Sequence, residues 1–338
     1  MAIPLGNFVS TTTRQRFFEK AVDNVYQGNV LFERLRGTAR PWTGGRQLVI
    51  PTTVTDRTQA TSFSSFDTLP TTQEDVRQLF TVDPCEYTSS PITFSGIQLA
   101  VNKGPEAFLN LMATEFMDVA RNLSEYIGAD LYLDGTGNAS KAINGLVYHI
   151  DDATNVGTYQ NLSRATYTNL NATLTAQSGA LSFTNLATDT DAAQRGNDSP
   201  TLIMTTPAVF SILERLVTPT LFINYNGPRG SNSTAPGAPG AGGSTLNYGA
   251  TALSWRGIPI MADEKCTSGN IFTINERHLF LYQLDYSNET VESSREGFAF
   301  TGFRKSNNQN AVTGNLLFAG QLVGDSPRTM ARRTGVTS

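Results

Sequence analysis

The stretch GPEAFLNLMATEFMDVARNLSEYIGADLYLDGTG (104–137) contains apolar residues that recur every three or four positions. This spacing predicts one helix over 105–133, which begins at Pro105 and stops before Gly135. Such a helix would be roughly 43 Å long at 1.5 Å per residue. That length exceeds what most globular helices need, so the stretch predicts a structural spine.

The segment before the helix, 44–104, has almost no helical spacing. It contains two apolar alternating runs, RQLVIPTTVT (46–55) and PITFSGIQLAV (91–101), on either side of a polar crest, RTQATSFSSFDTLPTTQEDVRQ (57–78). An isolated hairpin is marginally stable in water, and its free edges invite pairing with another chain. We therefore expect an extended β-hairpin loop that finishes folding on a neighbouring molecule, which favours assembly over catalysis.

The composition agrees with a subunit whose surfaces are covered. The 338 residues are enough for one large or two modest domains, and 39% of them are hydrophobic. Charged residues make up only 16%, whereas soluble proteins usually have about 25%. The net charge of −4 provides no basic field for nucleic acid or anionic membranes.

Cysteines and apolar runs indicate where the protein is made. Cys85 and Cys266 are far apart and form neither a disulfide framework nor a zinc motif, so we expect a reducing compartment. The first residues lack the apolar core of a secretory signal, and no run is long enough for a membrane span. We expect a soluble protein without a membrane partner.

The rest of the chain predicts a helical arm followed by an α/β region. Residues 13–36 have helical apolar spacing, and an α/β pattern extends from Leu162 to Ile274. We expect helices at 163–177, at 184–195 and in the second half of 201–217, after a buried strand and the N-cap Thr206. Strands are expected at 143–150, 255–263, 269–285, 289–305 and 311–325, and a Gly/Pro-rich loop at 226–250.

No motif predicts catalysis, a cofactor or a metal. His149 and His278 lack metal-ligand or catalytic spacing, so structural roles are expected for both. DGTGN (134–138) resembles half of a calcium loop but has Gly145 where the bidentate glutamate would stand, so a helix-ending turn is expected. Asp151 and Asp152 are expected to form a solvated turn. Phosphate-binding loops and nucleophile elbows are absent from the sequence.

Two arginine-rich segments, TRQRFFEK (13–20) and RTMARRTG (328–335), could contact the phosphates of a nucleic acid. Because the whole chain is acidic, we favour pairing between subunits with acidic residues such as Glu74 and Asp75.

The order of these elements resembles the major capsid proteins of tailed bacteriophages. The resemblance is carried by four segments that together span most of the chain. They are the spine stretch 104–137 with INGL (143–146), the strand and helix LIMTTPAVFSILERL (202–216), the strand pair SWRGIPIMADEKCTSGNIFTIN (254–275), and the return LDYSNETVESSREGF…NLLFAGQLVGDSPR (284–328).

The resemblance implies an α+β, Hong Kong 97-type capsid fold. Its parts would be an N-terminal arm (1–43), the extended β-hairpin loop (44–104), a peripheral domain (105–152 and 288–338) with the spine helix 105–133, and an α/β axial domain (153–287). It also implies hexamers and pentamers in an icosahedral shell, located in the virion and assembled in the host cytoplasm. A separate scaffolding protein, a portal and a decoration protein are the implied partners, with packaged DNA contacted non-specifically at most.

The resemblance also bears on how the shell is held together. Some relatives carry a lysine on the extended loop that forms an isopeptide bond, but the only lysine of 44–104 is Lys103 at its base, so a non-covalent shell is expected. Deleting 58–77 should leave folded subunits that cannot form stable shells. The alternatives are an encapsulin-like shell of a cellular nanocompartment and a β-rich decoration or binding module, of which the latter rarely contains so long a helix.

Overall fold

The computed structural model describes residues 29–101, 111–177, 179–221, 253–284, 293–295, 298–305 and 308–337. The predicted arm helix before residue 29, the first residues of the spine helix, Lys103 and the Gly/Pro-rich loop 226–250 lie outside the described residues.

Helices account for seven of the described elements. They are α1 (Val30–Gly37), α2 (Gly96–Val101), α3 (Leu111–Asp130), α4 (Gly137–Ser140), α5 (Leu146–His149), α6 (Phe183–Ala193) and α7 (Pro207–Leu221).

Nineteen strands are described, most of them short. They are β1 (Arg40–Trp42), β2 (Leu48–Thr53), β3 (Arg77–Val82), β4 (Cys85–Thr88), β5 (Ile92–Ser95), β6 (Thr158–Tyr159), β7 (Leu162–Ser163), β8 (Thr173–Ala176), β9 (Leu202–Thr205), β10 (Leu253–Trp255), β11 (Ile258–Ala262), β12 (Ile271–Ile274), β13 (Leu279–Leu284), β14 (Ser293–Arg295), β15 (Phe298–Phe300), β16 (Arg304–Lys305), β17 (Ala311–Gly314), β18 (Leu316–Gly324) and β19 (Ala331–Thr334).

Two six-stranded sheets form the body of the molecule. The first, which we call the peripheral sheet, has the order β1-β13-β18-β15-β14, with β4 also paired to β18. The second, the axial sheet, has the order β10-β11-β9-β12-β19-β8. Its central strand β9 is buried along its whole length, as the apolar run LIMT predicts for a strand covered on both faces.

Two strands belong to a different sheet from the one that the expected domain boundaries imply. Strand β13 was expected in the axial domain (153–287), but it pairs with β18 in the peripheral sheet. Strand β19 was expected in the peripheral domain, but it lies between β12 and β8 in the axial sheet. The prediction of one continuous strand over 269–285 is also wrong, because the short 3-10 helix Glu276–His278 separates β12 from β13.

The spine helix α3 packs its inner face into the largest hydrophobic core. Leu123, Ile127 and the following Leu131 are at most 3% exposed. Helix α3 ends at Asp130, slightly earlier than predicted, and its described part is about 30 Å long at 1.5 Å per residue. Gly145 allows the next segment to approach the helix end, since a Cβ there would lie 2.5 Å from the carbonyl oxygens of Asp130, Leu131 and Leu133.

Helix α1 is the described part of the N-terminal arm, and it packs against the spine helix. Asn29 caps it by accepting a hydrogen bond from the Phe32 amide. Arg34 forms a two-pronged ion pair with Glu276, with nitrogen–oxygen distances of 2.7 and 2.8 Å. This part of the arm is therefore fixed to its own subunit.

The extended hairpin is shorter than predicted. Strand β2 pairs antiparallel with β3 rather than with the run 91–101. That run forms strand β5, which pairs with β17, and then helix α2. Ser95 and Gln98 form a capping box: the Ser95 hydroxyl accepts from the Gln98 amide, and the Gln98 side chain accepts from the Ser95 amide. This pair starts a helix where alternation predicted a strand.

Two further predictions of local structure are wrong. The segment 143–150 contains the short helix α5 instead of a strand. The segment 163–177 contains β7, a 3-10 turn and β8 instead of a helix. Its threonines favour extended backbone, and β8 gains a parallel partner in β19, which no local pattern could reveal.

The predicted strand 255–263 is confirmed only over β11, because a turn at Arg256 and Gly257 separates β11 from its antiparallel partner β10. Other strand and helix predictions agree with the structure. Helix α6 begins after the N-cap Ser182, and α7 follows β9 through Thr206 and Pro207. The regions 289–305 and 311–325 form β14 to β18 in their described parts.

Candidate assembly interface

The base of the extended hairpin is fixed to its own subunit by a small apolar cluster. Phe80 is fully buried and packs edge-on against Tyr159, with ring centroids 5.6 Å apart. Val54 and Leu170 complete the cluster, and the Asn169 side chain donates to the Val54 carbonyl at 3.1 Å. The hairpin therefore leaves the body from a defined position.

Beyond this base, residues 55–73 are all exposed. Phe66 is 99% exposed, Phe63 65% and Leu69 52%. Single exposed apolar residues are ordinary on protein surfaces, but three of them so close together at a loop tip form a concentrated apolar feature. Nothing else in the described part of the subunit covers them.

The crest is ordered around these residues by its own polar groups. The Asp67 carboxylate accepts from the Ser64 amide at 2.7 Å, and the Asp67 amide donates to the Ser64 carbonyl at 3.1 Å. Closer to the body, the Glu74 carboxylate accepts from the hydroxyl and amide of Thr58 at 2.6 and 2.9 Å. These hydrogen bonds hold the pKa of Glu74 below its usual range. These hydrogen bonds constrain the backbone of the turn that carries Phe66.

Further exposed apolar residues lie on α2 and on the spine helix α3. Met117 and Tyr126 project from α3, and Ile97 and Val101 project from α2. Beside Tyr126, a groove of about 310 Å³ separates α3 from β4. In its lining, the Tyr87 hydroxyl donates to Asp130 at 2.9 Å and accepts from the Ile143 amide at 2.7 Å.

Burial shifts the pKa of two side chains in this groove. Burial raises the pKa of Asp130, against the opposing hydrogen bond from Tyr87. Burial also raises the pKa of Tyr87, so its hydroxyl stays protonated at neutral pH. Asp130 and Tyr87 are thus used to join α3, β4 and the segment before α5.

The C-terminal arginines pair within the subunit, contrary to both expectations for 328–335. Arg333 forms a buried ion pair with Asp189 of helix α6. Arg332 lies over the Phe272 ring at 5.8 Å and donates to Asn270. The other arginine-rich segment, 13–20, lies outside the described residues. Glu74, expected as an acidic partner, instead bonds Thr58.

The two histidines lie in different environments. His149 is completely buried, with Nδ1 3.0 Å from the Tyr159 hydroxyl and Nε2 3.2 Å from the Leu322 carbonyl oxygen. Burial and the charge of Arg164 lower its pKa to about 3, so it is neutral in the folded protein. His278 lies between two aspartates, Asp198 and Asp325, a pairing that sequence spacing could not reveal.

The acidic turns serve structural roles. Asp134 accepts from the hydroxyl and amide of Thr136 at 2.7 and 3.1 Å, as expected for a helix-ending turn. Asp151 is fully buried and accepts from three backbone amides, those of Ala153, Asn155 and Val156, so the prediction of a solvated turn is wrong for it. The described residues contain no cluster of three or more acidic, histidine or cysteine ligands for a metal.

The two cysteines lie in the interior as thiols. Cys85 and Cys266 are both free and buried. Burial raises the pKa of the Cys85 thiol to about 12 and raises that of Cys266 as well, so neither forms a reactive thiolate at neutral pH. In the part of the chain that the structure describes, no helix is long and apolar enough to span a bilayer.

Comparison with known proteins identifies the fold. No protein-family model matches the sequence, and no curated protein sequence is significantly similar to it. The structure is similar to the cyanophage A-1(L) capsid asymmetric unit, with a TM-score of 0.73 at 14% identity over 98% of this chain and 99% of that one.

Other solved structures are similar to this chain over nearly their whole length. The capsid of a native GTA particle has a TM-score of 0.61 at 9% identity and full coverage of both chains. The SrpI encapsulin complex from Synechococcus elongatus PCC 7942 has a TM-score of 0.59 at 11% identity over 99% of this chain and 96% of that one. The chain therefore has the mixed α/β fold of tailed-phage capsid proteins, as its sequence suggested.

Proposed function

We propose that the chain is the major capsid protein of a tailed double-stranded DNA bacteriophage, a structural protein without enzymatic activity. Copies of it would assemble into hexamers and pentamers of an icosahedral shell that encloses the genome. The single observation that carries this proposal is the ordered crest with Phe63, Phe66 and Leu69 exposed, on a chain with the capsid fold.

The crest suits a contact between copies of the chain. A turn held by its own hydrogen bonds loses less backbone freedom on binding than an unconstrained loop, and aromatic residues often dominate interface energies. The low fraction of charged residues, 16%, also suits surfaces that become covered. We infer that the extended hairpin of one subunit lies across an adjacent subunit, in an obligate assembly that buries roughly 2,000 Å² or more per pair.

In this proposal the subunit has a peripheral domain around α3 and the peripheral sheet, and an axial domain around the axial sheet. Strand β13 pairs in the peripheral sheet and β19 pairs in the axial sheet, which differs from the expected boundaries at 153 and 287. We therefore assign β13 to the peripheral domain and β19 to the axial domain. The axial domain would lie near the axis of each hexamer or pentamer.

Further partners belong to the same proposal. A separate scaffolding protein, a portal and a decoration protein would contact the shell, and assembly would take place in the host cytoplasm. Contact with packaged DNA would be non-specific. Since Arg332 and Arg333 are occupied within the subunit, such contact would need other basic residues.

The shell is proposed to be held by non-covalent contacts, because the loop 44–104 has Lys103 as its only lysine. Boiling purified particles in denaturant should release monomers on a gel. A ladder of covalent multimers would contradict this part of the proposal.

The second candidate is the shell of an encapsulin-like nanocompartment, which the TM-score of 0.59 to an encapsulin supports. Electron microscopy of the overexpressed chain tests both candidates. Closed shells, tubes or rings of five or six subunits are expected. A monomer that persists with crowding agents and a co-expressed scaffold would contradict assembly. The two candidates are distinguished by what the particles contain, which is a genome for a phage capsid and protein cargo for a nanocompartment.

A further inference from the structure

His278 occupies the junction between the two six-stranded sheets. It is the last residue of the 3-10 helix Glu276–His278, which connects β12 of the axial sheet to β13 of the peripheral sheet. Its backbone is fixed on both sides. The His278 amide donates to the Asn275 carbonyl at 3.1 Å, and its carbonyl accepts from the Asp325 amide at 3.1 Å.

Both ring nitrogens of His278 face carboxylates that belong to different sheets. Nε2 lies 2.5 Å from Asp198, in the loop that leads to β9 of the axial sheet. Nδ1 lies 2.6 Å from Asp325, directly after β18 of the peripheral sheet. Carboxylates only accept hydrogen bonds, so both short contacts are satisfied only when both ring nitrogens carry protons.

The charges around the ring agree with a protonated imidazole. The charged groups that face His278 are Asp198 and Asp325, and the Arg277 guanidinium lies 3.6 Å from Asp198. With a protonated ring, the two positive and two negative charges of this group cancel. Burial opposes ionisation of Asp198, but the hydrogen bond from His278 and the positive charges of His278 and Arg277 hold its pKa below the usual range.

We propose that His278 is a proton-dependent tie between the axial and peripheral sheets. When the ring carries two protons, it joins Asp198 to Asp325. When the ring loses one proton, a nitrogen lone pair faces a carboxylate, and that half of the tie opens. Raising the pH therefore loosens the junction, while the two sheets keep their own hydrogen bonds. This inference concerns the single subunit and does not depend on the proposed function.

The small number of histidines in the chain makes the effect of His278 easy to measure separately. The sequence has two histidines, and His149, whose pKa is about 3, does not titrate above pH 5 in the folded protein. His149 is present in every variant of the test, so its own effect on unfolding cancels when a variant is compared with the unsubstituted chain at the same pH. Replacing His278 by Gln removes the tie at every pH, whereas replacing it by Arg keeps a permanently charged, planar donor in the same place.

The test compares thermal unfolding of the full chain and its variants at pH 5.5 and pH 8.5, in the same state of assembly. Because the three side chains are partly exposed, a modest effect is expected: His278→Gln should lower the Tm by about 3 °C at pH 5.5 and by less than about 1 °C at pH 8.5. Asp325→Asn should show the same pH dependence, and His278→Arg should show none. An equal Tm difference for His278→Gln at both pH values would overturn the proposal.

Hydrogen exchange gives a local readout that global stability does not provide. In His278→Gln at pH 5.5, the segments 194–200 and 324–328 should exchange about threefold faster than in the unsubstituted chain, and the difference should be smaller at pH 8.5, where the neutral ring keeps only one of its two hydrogen bonds. Unchanged exchange in both segments at pH 5.5 would overturn the tie, even if the Tm changed.

Discussion

Arg333 and Asp189 form a buried, two-pronged ion pair in which Nε and Nη2 of the arginine lie 2.7 Å from the two carboxylate oxygens. The arginine also donates to the Gln177 side chain and the Asn185 carbonyl. These contacts attach β19 to helix α6 and β8. The sequence predicted contact of this arginine with DNA or with another subunit. In the structure it instead links elements of the axial domain to one another.

Breaking this pair should be costly. Arg333→Met leaves the Asp189 carboxylate buried without its partner, so the free energy of unfolding should fall by about 3–5 kcal/mol in urea denaturation. The double variant Arg333→Met with Asp189→Leu leaves no unpaired charge, so it should restore most of the loss. The exposed Arg46→Met is the control and should change stability by less than about 0.5 kcal/mol. Equal effects of Arg333→Met and Arg46→Met would contradict the pairing.

Gly128 of the spine helix should be intolerant of a side chain. A Cβ at this position would overlap the side chain of Asn29, which caps helix α1. Gly128→Ala should therefore destabilise the protein by about 1–3 kcal/mol, although alanine is the better helix former.

Gly37 provides the matched control, since it also lies in a helix but has nothing within 4 Å of its added Cβ. Gly37→Ala should be neutral or stabilising by up to about 1 kcal/mol. Thermal or urea unfolding of the two variants checks the pair, and a stable Gly128→Ala protein would show that α1 does not pack on α3 in this way.

His149 should make the protein sensitive to acid. Its pKa is about 3 in the folded state, so below the ordinary histidine value the unfolded chain binds a proton that the folded chain does not. Stability is therefore present at neutral pH and is lost as the pH falls, by about 1.4 kcal/mol per pH unit from this residue.

The check is urea unfolding between pH 6.5 and pH 5, where carboxylates contribute least. His149→Asn should be less stable at neutral pH, because Tyr159 and the Leu322 carbonyl lose their partner, but its stability should fall less steeply with acid. Parallel curves for the two proteins would show that His149 is not kept neutral by burial.

The crest should control assembly without affecting folding. Substitutions are sharper than the deletion of 58–77, because that deletion would remove the buried Val76 and also Arg77, the first residue of strand β3. Phe66→Ser should leave the melting curve unchanged but weaken contacts between subunits by about 2 kcal/mol, roughly thirtyfold. Particle yield by size exclusion and microscopy measures this.

Phe66→Leu keeps an apolar anchor and should retain most of the yield. Normal shells from the triple variant Phe63→Ser, Phe66→Ser and Leu69→Ser would mean that the crest is not the contact proposed here.

Sequence reasoning predicted the order of elements well where periodicity was strong. The spine helix, strand β9 and helices α6 and α7 follow patterns that local physics enforces. It failed at 163–177, where the leucines have helical spacing but β8 is stabilised by β19, a strand near the other end of the chain. It also failed at 91–101, although the capping box of Ser95 and Gln98 was visible in the sequence.

The candidate interface was predictable in outline but not in detail. The exposure of the polar crest could be inferred from composition, and the exposure of Phe66 agrees with that. The partners of His278, Arg333 and Asp151 could not, because each depends on segments that only the tertiary fold brings together.

The position of β19 has a consequence for biosynthesis. Among the described strands, β8 joins the axial sheet only through β19, and β19 contains residues 331–334. A growing polypeptide therefore cannot close this sheet until those residues have left the ribosome. Chains truncated before these residues would therefore lack a complete axial sheet.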